Sequence, residues 1–137
     1  MTLIDAGPLI ALIDARDQKN HQDCLTAFQA LKTAPFTTWS CVAEAMYLLG
    51  QIGGWPAQKL LIGLLKSGAV RIHETVESEL ERIEQLMEQY QNVPMDLADA
   101  SLVSLAELHD THQIITLDDD FFIYRINGKD SFDVIRP

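Results

Sequence analysis

Leu3-Ile4-Asp5-Ala6-Gly7-Pro8-Leu9-Ile10-Ala11-Leu12-Ile13 places a strand end, an acid and a helix start within eleven residues. Leu3 and Ile4 are apolar and stop abruptly on a carboxylate. A Gly-Pro pair follows, then five apolar residues, enough for a short buried helix. Proline at the first helical position loses nothing, because that N–H has no intrahelical acceptor and the ring presets a helical φ. Gly7 permits a tight turn before it. The stretch therefore predicts a buried strand, an acid at its carboxyl end, and a sharp turn into a helix. In open α/β sheets ligands bind in the crevice outside the strands' carboxyl ends, which makes Asp5 the first candidate site residue. A carboxylate at that place also suits a plain helix cap, and the stretch alone does not choose between the two.

Outward from this segment the pattern alternates. Residues 21–32 show helical spacing, with Cys24, Leu25, Phe28 and Leu31 on one side. Pro35 breaks that helix, and the β-branched and aromatic run 36–39 predicts a second strand. Ser40 is the expected cap of a helix over 41–49, which Gly53-Gly54 ends. Pro56 restarts a helix through Lys66, Ser67-Gly68 stops it, and 69–73 reads as a third strand. Residues 77–90 form an amphipathic helix with Leu80, Ile83, Leu86, Met87 and Tyr90 as its stripe. A helix over 97–109 follows Pro94. Residues 113–117 predict a strand that runs into Asp118-Asp119-Asp120, and 132–135 a last strand at a sheet edge. Strands alternating with helices imply a three-layer α/β/α sandwich with a central parallel sheet. There is no repeat, linker or low-complexity segment, and residues 1–137 are expected to form a single domain.

The chain's 137 residues suffice to bury roughly 70% of the unfolded surface. Its net charge of −10 argues against general affinity for phosphate backbones, because each phosphate contact wants a Lys or Arg. It suits a cluster of acids that holds divalent cations, or a basic partner that covers an acidic surface. Two cysteines, Cys24 and Cys41, make neither a disulfide scaffold nor a zinc site, so a reducing cytoplasm is expected. The N-terminus lacks the basic segment of a signal peptide. No apolar run approaches the ~20 residues of a membrane span.

Four groups of acids stand apart from the solvated polar face expected for Glu77, Glu79, Glu81, Glu84 and Glu88. Glu44 sits in an otherwise apolar run, where burial is costly unless the charge is paired or bound to a cation; the alternative is the single polar stripe of a mostly buried helix. Asp96 and Asp99 are three apart at a helix start and share a face, Asp99 lying deeper in the apolar part and Asp96 suiting an N-cap. Asp118 emerges, like Asp5, at a strand's carboxyl end, with Asp119 and Asp120 as turn residues. Thr116 points to the same side of its strand as Asp118. Acids at two strand ends and in two helices can meet at one crevice. Packed carboxylates repel and raise one another's pKa unless a cation neutralises them. Oxygen ligands without Cys or His suit Mg²⁺ or Mn²⁺, ions that clamp phosphate oxygens and favour phosphodiester hydrolysis.

With these residues in place the chain resembles a PIN domain, specifically the VapC-like ribonuclease toxins of type II toxin–antitoxin systems. The resemblance is carried by Leu3-Ile4-Asp5-Ala6-Gly7-Pro8-Leu9, Ala43-Glu44-Ala45, Asp96-Leu97-Ala98-Asp99-Ala100-Ser101-Leu102 and Thr116-Leu117-Asp118-Asp119-Asp120-Phe121, in that order over nearly the whole chain. It implies Mg²⁺- or Mn²⁺-dependent cleavage of RNA. Asp5, Glu44 and Asp99 match the family's three metal-site acids, Asp118 the fourth and less uniform one, and Asp96 an accessory acid. It also implies a homodimer, and inhibition by a small antitoxin whose tail enters the active site. The low cation count departs from what an RNA enzyme leads one to expect; Arg16, Lys19, Arg125 and Lys129 are the candidates for a substrate groove.

Three other readings compete. A haloacid-dehalogenase-like phosphatase wants a second Asp two residues after the first, where this chain has Gly7. A response-regulator receiver wants a Lys at a later strand end, where this chain has acids. A non-catalytic module of the same fold loses ground because none of the expected acids is missing.

Overall fold

Thr2, Leu3 and Ile4 are all buried, as a strand covered on both faces must be, and form β1 (Thr2–Ile4) at the centre of a sheet. The computed structural model describes residues 1–137. From β1 it continues through α1 (Ala6–Ile13), α2 (Gln18–Gln29), β2 (Phe36–Thr38), α3 (Trp39–Lys66) and β3 (Arg71–His73). A 3₁₀ turn (Glu77–Glu79) leads into α4 (Leu80–Gln89), α5 (Leu97–His109) and β4 (Gln113–Ile115). A second 3₁₀ turn (Asp119–Phe122) precedes β5 (Arg125–Ile126), β6 (Asp130–Ser131) and β7 (Asp133–Ile135).

Five strands pair in the order β3-β2-β1-β4-β7, and every pair is parallel. From β1 the chain winds outward to β2 and β3, then crosses back to β4 and β7 on the other side. Right-handed crossovers put the helices of the two halves on opposite faces. Helix α1 packs against α2 and α3, α4 packs against α5, and α3 also meets α5. The reversal of winding falls between β1 and β4, in register from Thr2 opposite Gln113 to Ile4 opposite Ile115. The core between the layers is aliphatic, with Leu3, Leu9, Leu49, Leu86, Leu102 and Ile114 fully buried. No helix is long and apolar enough to cross a membrane.

The structure moves several expected boundaries. α1 begins at Ala6, so Pro8 is its third residue, Gly7 lies inside the helix and no tight turn separates strand from helix. Trp39 opens α3 instead of ending β2. Thr38, not Ser40, is its cap: Thr38 keeps the extended backbone a cap needs, and its Oγ1 accepts the Cys41 N–H at 3.3 Å. The expected stop at Gly53-Gly54 is a kink, where Gly54 takes φ 66° and ψ −155° and divides α3 into two helical runs. An antiparallel hairpin of β5 and β6 was not expected. Its signal was present in Asn127-Gly128, both at positive φ. Glu79 is buried instead of facing solvent, and Leu80 of the expected apolar stripe is exposed.

Candidate metal centre

Asp5 follows β1 directly and caps α1, with Oδ1 accepting the Ala6 N–H at 2.7 Å. Its Oδ2 accepts the Thr116 hydroxyl at 2.9 Å. The Thr116 oxygen in turn accepts the Asp118 N–H at 2.9 Å, so one buried hydroxyl ties the ends of β1 and β4 together. Asp118 caps the 3₁₀ turn after β4, its Oδ1 accepting the Asp120 N–H at 2.9 Å. Asp96 caps α5, its Oδ1 accepting the Asp99 N–H at 2.8 Å. Asp99, in the first turn, is buried, and its Oδ2 accepts the Tyr124 hydroxyl at 2.9 Å. Each acid thus has a local structural job, yet all converge where the sheet reverses its winding, the place where such sheets bind ligands.

Asp5, Asp99 and Asp118 each bring a carboxylate oxygen within 4.8 Å of the others. They line a crevice of about 370 Å³ together with Ala6, Gly7, Glu44, Asp96 and Leu117, a lining with no cationic side chain. Glu44 and Asp96 flank the triad without joining its closest group. Glu44 is exposed, so it occupies the polar stripe of α3 and is not the buried charge that its apolar neighbours suggested. Asp119 is exposed and pairs with Arg136.

The like charges leave a mark on the acids. Burial pushes the Asp5 carboxyl up to about 6, against the lowering bonds from Ala6 and Thr116, and the Asp118 and Asp96 charges add to the rise. Burial likewise takes Asp99 to about 7, helped by Asp96, with the Tyr124 hydroxyl pulling the other way. Glu44 is raised by partial burial and by the charges of Asp96, Asp5 and Asp118, which ties it electrostatically to the same crevice. The donor set fits a hard divalent cation: oxygen only, clustered, buried at two of three positions and unneutralised by any cation of the chain.

The cations proposed for a substrate groove do not line this crevice. Arg16 forks onto Asp14, Lys19 pairs with Asp23, and Arg125 donates to the carbonyls of Phe122, Ile123 and Tyr124. The sequence does not point to Tyr124, because a tyrosine in an apolar run carries no signal that its hydroxyl will meet a carboxylate of another element.

The PIN domain model matches residues 2–127. Ribonuclease VapC26 of Mycobacterium tuberculosis is 30% identical over 119 residues, which cover 85% of either chain. The crystal structure of Mycobacterium tuberculosis VapC20, a Sarcin-Ricin loop cleaving toxin, superposes with a TM-score of 0.80 at 17% identity, over 88% of this chain and 92% of that one. A toxin–antitoxin complex from Klebsiella pneumoniae gives a TM-score of 0.70 at 22% identity, covering 100% of this chain and 98% of that one. At such identities the two structures speak for the fold, a parallel sheet flanked by helices. The extent of the family match and the identity to VapC26 go further: the chain belongs to the PIN-domain family.

Proposed function

We propose that this chain is a divalent-metal-dependent ribonuclease that hydrolyses RNA phosphodiester bonds, and that it is the toxin of a toxin–antitoxin pair. The observation that carries the reading is the convergence of Asp5, Asp99 and Asp118 at the sheet's reversal with no positive charge among them. The ribonuclease name of its 30% identical relative supports RNA as the substrate.

In this reading Asp5, Asp99 and Asp118 hold Mg²⁺ or Mn²⁺, with Glu44 and Asp96 at the rim as further ligands or holders of its waters. Such an ion supplies Lewis-acid polarisation of a phosphodiester and a more acidic water for in-line attack. The chain's own groups do the positioning. Thr116 fixes the Asp5 carboxylate relative to the Asp118 backbone, and Asp118 orients the attacking water. No protein nucleophile takes part: burial pushes the Cys24 and Cys41 thiols up to about 11 and about 12, which leaves both inert.

Partners follow from surfaces. An apolar groove of about 610 Å³ runs along the helix that carries Glu44, lined by Trp39, Val42, Met46, Leu65 and Ile72 among others. It suits an amphipathic segment of an antitoxin, and the acidic crevice beside it suits that segment's cations. Trp55 and Leu60, exposed on the second half of α3, suit a homodimer contact. The chain acts as one unit in the cytoplasm.

The test is Asp5→Asn, which keeps size and removes charge. It is expected to abolish RNA cleavage while the far-UV circular dichroism stays that of the parent. Cleavage at the parent rate would place the metal site elsewhere.

A further inference from the structure

Tyr124 is the one side chain outside the acid cluster that bonds Asp99. Its ring is fully buried, and its hydroxyl donates to Asp99 Oδ2 at 2.9 Å. A buried phenol needs a partner, and the surrounding structure gives this one no freedom to choose another. The ring lies edge-on to Tyr90 and to Phe121, with centroids 5.1 Å away in each case. The backbone just beyond is pinned twice. The Arg125 N–H donates to the Tyr90 hydroxyl at 3.1 Å, and the Asn127 N–H to Glu107 Oε2 at 2.6 Å. Glu107 is itself gripped by Arg82 through two bonds of 2.7 and 2.9 Å, which joins α4, α5 and the β5–β6 hairpin.

Resting on the metal-site reading above, we propose that Tyr124 is a positioning residue for metal binding: its hydroxyl clamps one Asp99 oxygen and so aims the other into the acidic crevice. The Asp5 carboxylate is fixed through both oxygens by Ala6 and Thr116, whereas that of Asp99 has the single side-chain tether. Without it Asp99 rotates about its side-chain bonds and meets the repulsion of Asp96, Asp5 and Asp118 by turning away. Groups that hold a metal ligand by its other atom typically govern about 10- to 100-fold in affinity.

The experiment is calorimetric Mn²⁺ binding to the full chain and to Tyr124→Phe, which keeps the ring packing and deletes only the hydroxyl. Tyr47→Phe, which deletes the exposed hydroxyl that bonds Gln51 on α3, is the comparator. Tyr124→Phe is expected to weaken Mn²⁺ binding about tenfold or more, and Tyr47→Phe to leave it within about twofold because its hydroxyl bonds Gln51 and no acid of the crevice. Equal losses in the two variants, or none in Tyr124→Phe, overturn the proposal while leaving the metal site intact. Absence of binding to the parent chain overturns the metal-site reading itself and this inference with it. Should Tyr124→Phe not fold, ¹³C-tyrosine resonances of the parent chain decide instead. Mn²⁺'s diamagnetic counterpart Mg²⁺ must shift the Tyr124 ring signal more than that of Tyr90, and an unmoved Tyr124 signal refutes the clamp.

Discussion

Glu79 and Asp99 are almost equally buried, at 4% and 7% exposure, and the chain treats them in opposite ways. Glu79 accepts the Val76 N–H and the Ser104 hydroxyl, each at 2.8 Å, and meets His73 Nε2 at 3.1 Å. Burial pushes its carboxyl up, but those three partners outweigh it and hold the group below its ordinary value. Asp99 has one side-chain donor and three neighbouring acids, and ends raised to about 7. Burial is therefore not what distinguishes a site. A buried carboxylate satisfied on every side fastens elements together, here the first 3₁₀ turn, β3 and α5. One left with an open oxygen among like charges is a cost that a cation can remove.

The contrast is sharpest in a pair of amide substitutions with opposite expected signs. Glu79→Gln turns an acceptor into a donor facing donors, and is expected to cost about 1–3 kcal/mol in denaturant unfolding without changing Mn²⁺ affinity. Asp99→Asn removes a repelled charge while keeping an acceptor for Tyr124. It is expected to raise the metal-free melting temperature by about 3 °C or more and to eliminate Mn²⁺ binding. A destabilised Asp99→Asn would erase the distinction between the two acids.

Titration sharpens the same comparison without mutation. Asp5 and Asp99 bind protons more tightly folded than unfolded, since their carboxyls rise from 3.8 to about 6 and about 7. Where the native state holds more protons, stability falls as pH rises, so this pair weakens the metal-free protein progressively between about pH 4 and pH 7. Glu79 is lowered, so its contribution is present above its unfolded value of 4.5 and is lost on acidification below it. Metal-free stability should therefore peak near pH 4 and drop by at least about 5 °C in melting temperature towards pH 8. Millimolar Mg²⁺ or Mn²⁺ should flatten the alkaline side alone. A metal-free melting temperature still rising at pH 8 contradicts the assignment.

Much of this was legible before folding. The run from Leu3 to Ile13 signalled the strand, the acid and the helix, and the alternation of periods signalled the parallel sheet. The order of the fragments around Asp5, Glu44, Asp99 and Asp118 signalled the family. Misreadings cluster where tertiary contact overrides local preference. Glu79 lies on a helix-like pattern of acids, and nothing local says that Ser104, 25 residues away, will donate to it. Glu44 looked buried because its neighbours are apolar, but α3 leaves an exposed stripe through Ala43, Glu44 and Tyr47. Ser40 looked like the cap because it stands before an apolar run. Thr38 took the role because β2 ends there, its hydroxyl also lying 2.7 Å from Ser101 Oγ. Asn127-Gly128, by contrast, is a local turn signal, and it sets the hairpin that pins Tyr124.

The smallest effect is expected from the acid nearest the site that does not belong to it. Asp118, Asp119 and Asp120 are indistinguishable by composition, and only their backbone directions separate them. Asp118 leaves β4 with its carboxylate among those of Asp5 and Asp99, while its neighbour Asp119 points to solvent and pairs with Arg136 near the end of the chain. Exposed pairs of this kind contribute about 0–1 kcal/mol. Asp119→Asn is therefore expected to leave Mn²⁺ affinity and RNA cleavage within about twofold of the parent and stability within about 0.5 kcal/mol, whereas Asp118→Asn takes one of the three converging carboxylates away and weakens Mn²⁺ binding. The measurement is a parallel titration of both variants with Mn²⁺, followed by cleavage of one RNA under saturating metal. Equal losses would mean that the charge of the whole turn matters and not the oxygen Asp118 presents to the crevice. Loss in Asp119→Asn alone would move the third converging acid by one residue and require the turn after β4 to rotate when the ion binds.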